Sequence, residues 1–82
     1  SDLLATLGRH GACGSGLALL RLIGEAPATA AAALARRAGC QTPAFKRAVR
    51  RLKELGLTES LAVGYRLSPR GESLLRAAPR SG

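Results

Sequence analysis

Aromatic residues are almost missing from this chain of 82 residues, which has one Phe, one Tyr and no Trp. Proteins that hold single-stranded nucleic acid or RNA stack bases on exposed rings, and Phe45 and Tyr65 alone make no such platform. Interfacial membrane helices also use Trp and Phe, so the same scarcity counts against a membrane surface. No apolar run approaches the roughly twenty residues of a membrane span, and Arg21 interrupts the longest leucine-rich stretch. The N-terminus also lacks the charged start and long apolar region of a secretion signal. A cytoplasmic protein is the expectation, and a start at Ser1 without Met fits a processed or excised chain.

Acidic residues are scarce as well, and Asp2, Glu25, Glu54, Glu59 and Glu72 are scattered as a surface scatters them. With one histidine, no carboxylate pair and no nucleophile beside a base, the expectation is a protein that is not an enzyme and needs no cofactor. His10, Cys13 and Cys40 are too few for a structural zinc site, which takes four ligands, and the two cysteines stand far apart. Cys40 reads as a small buried hydrophobe. The alternative is a redox sensor, its thiol acidified by Arg36, Arg37 and the start of the following helix. Gly8 to Gly16 is a glycine-rich loop without the Gly-Lys-Ser/Thr ending or the preceding strand of a phosphate cradle, so it reads as a connector with no nucleotide.

What the chain does have is positive charge. Thirteen Lys and Arg against five Asp and Glu leave a net charge of +8. Such a surface is drawn to polyanions. Duplex DNA, held through phosphates and groove edges, needs no aromatic side chains and is the best-matched partner. The charge concentrates in Gln41 to Leu57, read as one amphipathic helix. Thr42 is the expected cap, Pro43 suits the first helical position, and Gly56 suits the left-handed C-terminal position. Phe45, Ala48, Val49, Leu52 and Leu55 recur at helical spacing as an apolar stripe. Lys46, Arg47, Arg50, Arg51 and Lys53 lie off it and meet only Glu54. A solvated surface face is the plain alternative, but such faces mix signs, and this one has almost no compensating Glu.

Around that helix the punctuation is regular. Gly16 to Glu25 reads as a first helix ended by Pro27, and Thr29 as the cap of a second helix through Ala38. Gly39-Cys40-Gln41 is a tight turn. After Gly56 the period changes to two, and Leu57 to Leu67 reads as a short hairpin turning near Gly64. Ser68-Pro69 opens a last helix that packs back through Leu74 and Leu75. The expected fold class is mainly α with a small β-hairpin (α+β), a winged helix-turn-helix with a three-helix core, a short wing and a C-terminal helix. The expected division is an N-terminal segment over 1–16, the folded domain over 17–77 and a tail over 78–82.

Gly39 to Leu57, followed by Gly64 to Leu75, resembles bacterial winged helix-turn-helix regulators, the MarR type nearest. Leu67-Ser68-Pro69-Arg70-Gly71 matches that type's wing-to-helix signature, and Lys53-Glu54-Leu55-Gly56-Leu57 resembles its recognition-helix exit. The resemblance spans Leu17 to Leu75 and implies transcription regulation by sequence-specific duplex binding, in a nucleoid-associated bacterial protein. By position, Gln41, Thr42, Ala44, Lys46 and Arg47 would face the major groove, with Gln41 suited to adenine and Lys46 or Arg47 to guanine. Arg50 would hold a phosphate. Thr29 with the second helix's first amides would hold another, Arg36 and Arg37 would do likewise or stay solvated, and Arg66 would make the wing contact. The apolar tip Leu61-Ala62-Val63-Gly64 departs from a groove-reading wing and implies a reduced one, with Arg66 and Arg70 at its base. The chain also lacks the long terminal helices of MarR-type dimers. A homodimer would therefore use the short termini and the hairpin, or the module belongs to a longer protein. The rival reading is a protein-interaction winged helix whose basic helix meets an acidic partner and whose apolar tip inserts into it.

Overall fold

The computed structural model describes Leu7 and residues 10–78. The short helix or fraying start expected over 1–7 lies outside them apart from Leu7, as does the tail beyond Ala78. The described residues form a mainly helical α+β unit. Strands β1 (His10–Gly11) and β2 (Gly14–Ser15) precede α1 (Gly16–Glu25), α2 (Ala31–Ala38) and α3 (Thr42–Glu54). Strands β3 (Thr58–Ser60) and β4 (Tyr65–Leu67) and helix α4 (Pro69–Ala77) follow. Both strand pairs are antiparallel. β1 and β2 pair His10 with Ser15 and Gly11 with Gly14, while β3 and β4 pair Thr58 with Leu67, Glu59 with Arg66 and Ser60 with Tyr65.

The core is aliphatic and sits where the helices converge. Leu20 and Ile23 of α1, Leu34 of α2, Phe45 of α3 and Leu57 at the entry to β3 are its largest fully buried side chains. Each comes from the apolar face of its element, so the 3.6-residue period of three helices closes on one centre. Phe45 also meets Tyr65 of β4, ring centroids 6.2 Å apart and tilted by 56°, which ties α3 to the second hairpin.

Helix ends explain the angles. α2 stops where Gly39 takes a left-handed φ of 77°, the Gly39 amide donating to Arg36 O and the Cys40 amide to Ala35 O. α3 ends in the same way, with Gly56 at φ 77°, its amide donating to Lys53 O and that of Leu57 to Leu52 O. These are Schellman motifs, and each turns the chain sharply while satisfying carbonyls that a helix end leaves orphaned. At the start of α1 the Ser15 side chain accepts from the Ala18 amide at 3.1 Å.

The structure departs from the sequence expectations at four places. Thr42 does not cap α3; it is already helical, and extended Gln41 is the N-cap, without a side-chain hydrogen bond. Thr29 does not cap α2 either, because that helix starts at Ala31 with Ala30 as N-cap. Thr29 is held elsewhere: the Ala28 amide donates to Tyr65 O at 3.1 Å, and the Thr29 backbone lies directly against Gly64. The glycine-rich stretch expected as a loop contains the tight β1–β2 hairpin. Cys13 in its turn and Cys40 after α2 are not a distant pair of free thiols but a disulfide, Cα atoms 5.2 Å apart. A separation of 27 residues hides this proximity in the sequence; the hairpin and the Gly39 turn bring the two ends together.

Candidate nucleic-acid interface

Helix α3 carries the site. Phe45, Val49 and Leu52 are buried, and Ala48 and Leu55 are half-buried and packed on the core, so one side of the helix is anchored along its whole length. Anchoring that stripe forces the remaining positions outward. Lys46, Arg47, Arg50, Arg51 and Lys53 are all exposed. Among the described residues no carboxylate makes a salt bridge to any of them. The result is a cationic face about two turns long, from Lys46 to Lys53, on a helix of 13 residues.

The approach to this face is built from the α2–α3 turn. Gln41 is exposed at the N-cap, Thr42 and Ala44 are half-buried on the first turn, and Arg36 and Arg37 are exposed on the last turn of α2. Gln41, Ala44, Lys46, Arg47 and Arg50 therefore share one helix and its entry, with Arg36 on the neighbouring helix end. Thr29 and Arg66 stand apart from this group. Thr29 is half-buried beside the β3–β4 hairpin, and its backbone contacts Gly64. Arg66 spends its guanidinium on its cross-strand neighbour: Nε donates to Glu59 Oε1 at 2.7 Å, with Nη2 also at 2.7 Å. Both side chains are largely exposed, so the pair adds under about 1 kcal/mol to stability, and a nearby anion can compete for Arg66.

The β3–β4 hairpin is short, and the base of its tip packs against the segment before α2. The Leu61 amide donates to Gly64 O, Gly64 sits at φ 75°, and a side chain there would run into the Thr29 backbone. Val63 at the tip remains 57% exposed, the one large hydrophobic side chain so exposed among the described residues.

Sequence reasoning missed the β1–β2 hairpin as a neighbour of α3. Leu7, Ala12, Ala44, Arg47, Arg51 and Leu55 line a depression of about 410 Å³ between the two, so Arg47 and Arg51 rise along one wall of it. The disulfide fastens the hairpin beside the start of α3. The available signal was the cysteine count, since two cysteines permit one intramolecular pairing.

No helix of the described residues is long and apolar enough to cross a membrane, and no group of three or more His, Cys, Asp or Glu among them is arranged to hold a metal ion. The chain matches no protein-family model, no curated protein and no solved structure.

Proposed function

We propose that this chain is a winged helix module that binds double-stranded DNA, with α3 as the helix that enters the major groove. The observation that carries the reading is the face of α3: five exposed cations on a helix whose other side is sealed into the core, with no described carboxylate paired to them. A helix held from behind and cationic in front is suited to the groove of a polyanion roughly 12 Å wide. On this reading Gln41, Lys46 and Arg47 contact base edges, and Arg50, Arg51 and Arg36 contact phosphates. The short, apolar hairpin tip supports only a small wing contribution, made through Arg66 after it leaves Glu59. The order of helices and hairpin, and the Leu67 to Gly71 signature, support a bacterial regulator of the MarR type or one like it.

The deciding experiment selects from a random duplex pool at two salt concentrations and sequences what is retained. An enriched motif supports sequence-specific recognition, and two symmetric half-sites report a dimer. Binding that collapses with salt and enriches nothing would reduce the face of α3 to non-specific attraction. Exposed Val63 favours a second reading, a protein-docking module in which the tip inserts into an acidic partner. No enrichment, together with a partner lost on Val63→Ser, would support that reading instead.

A further inference from the structure

The two sulfurs of the disulfide differ in what surrounds them. Cys13 is 6% exposed in the β1–β2 turn and belongs to the core. Cys40 is half-buried and lines an open depression of about 440 Å³ with Ala12, Arg36, Gly39, Gln41 and Ala44. Nothing stands within 4 Å of the position a side chain at Gly39 would take, so there is room on that side. The depression holds one cation, Arg36, and no carboxylate among its lining residues. Its chemistry is therefore a half-buried disulfide cysteine on the same wall as a guanidinium and the amide side chain of Gln41.

We propose that Cys40 is a thiol-exchange site that takes a small thiol bearing a carboxylate. The carboxylate is drawn to Arg36, which brings the thiolate to Cys40 Sγ rather than to covered Cys13. The incoming thiolate forms a new S–S bond to Cys40. The Cys13–Cys40 bond breaks, and its electron pair leaves on Cys13 Sγ, which takes a proton from water. The products are a mixed disulfide on Cys40 and a free Cys13 thiol: the small thiol's sulfur is oxidised to the disulfide level, Cys13 is reduced, and no further oxidant or reductant is needed. The Schellman motif keeps Cys40 in position after the bond opens, because the Cys40 amide is held by Ala35 O independently of the sulfur. What is released is the β1–β2 turn, which loses its covalent tie to the start of α3.

The test treats the oxidised chain with 3-mercaptopropionate or with neutral 2-mercaptoethanol. Freed thiols are trapped by alkylation, and the adduct is located by intact mass and peptide mapping. Each rate is divided by that thiol's rate with a small neutral disulfide, which removes differences in intrinsic nucleophilicity. The expected result is a single adduct on Cys40, alkylation on Cys13, and a corrected rate about fivefold higher for the anionic thiol, the scale of one ion pair in water. Arg36→Ala, at an exposed position, should erase that preference by slowing the carboxylate-bearing thiol more than 2-mercaptoethanol, whose attacking thiolate carries one charge fewer. In urea, where the fold is lost, the preference for Cys40 should vanish too. Adducts mainly on Cys13, equal corrected rates for the two thiols, or a charge preference that survives Arg36→Ala would each overturn the proposal.

Discussion

Ser68 joins three segments with one side chain and one amide. Its hydroxyl donates to Gly56 O at 2.6 Å and accepts from the Gly71 amide at 3.0 Å, while its own amide donates to Leu57 O. The exit of α3, the base of the β3–β4 hairpin and the start of α4 thus meet at a buried residue. Ser68→Ala removes a helix cap and leaves the Gly56 carbonyl short of a donor, so unfolding in urea should show a loss of about 1–2 kcal/mol. Two further positions make an opposed pair. Ala28 has φ 60°, a left-handed backbone that costs a residue with a Cβ about 1–2 kcal/mol, and Gly there should raise stability by up to about 1 kcal/mol. Gly64 has φ 75° and its neighbour Thr29 in the way, so Gly64→Ala should cost more than about 1 kcal/mol in the same measurement. Only the second of these was legible from the chain, since a glycine near a hairpin turn announces itself and an alanine in a left-handed conformation does not.

At the scale of elements, α3 was the most legible part of the molecule. Its apolar stripe, its outward cations and its glycine stop all follow from a period of 3.6 and the conformational range of glycine, both local properties. Its start was less so. Gln41 rather than Thr42 is the cap because the preceding Schellman turn sets where the chain can become helical, and that turn belongs to α2. If α3 reads a groove, Lys46→Ala or Arg47→Ala should cost about 1–3 kcal/mol on a selected duplex and relax base preference there. Arg50→Ala should weaken all sequences alike and flatten the salt slope by about one unit. Titrations against selected and scrambled duplexes at several salt concentrations separate the two behaviours. Unchanged affinity in all three variants would remove α3 from the interface. The β1–β2 hairpin contrasts with α3, because strands of two residues carry no period long enough to read.

For the whole molecule, the disulfide is the longest-range constraint. It closes a loop with a sequence separation of 27 and joins the N-terminal hairpin to the α2–α3 turn. On chain-entropy grounds a crosslink of that span stabilises by roughly 3–4 kcal/mol, a large share of what a domain of this size commands. Paired urea titrations of the oxidised chain and of Cys13→Ser/Cys40→Ser should show a difference of that order. A difference under about 1 kcal/mol would mean that the hairpin holds by packing alone.

Composition and spacing by themselves determined the surplus of positive charge, the three helices before Leu57, the hairpin after it and the orientation of the cations on α3. Each depends on neighbours within about one helical turn or one strand pair, which is the range over which side-chain pattern dictates backbone. Tertiary structure alone decided which residues from different elements meet: Cys13 with Cys40, Thr29 with Gly64, and Ser68 with Gly56. Those contacts arise from the angles at Gly39 and Gly56 and from closure of the core around Phe45, and such angles have no period in the sequence.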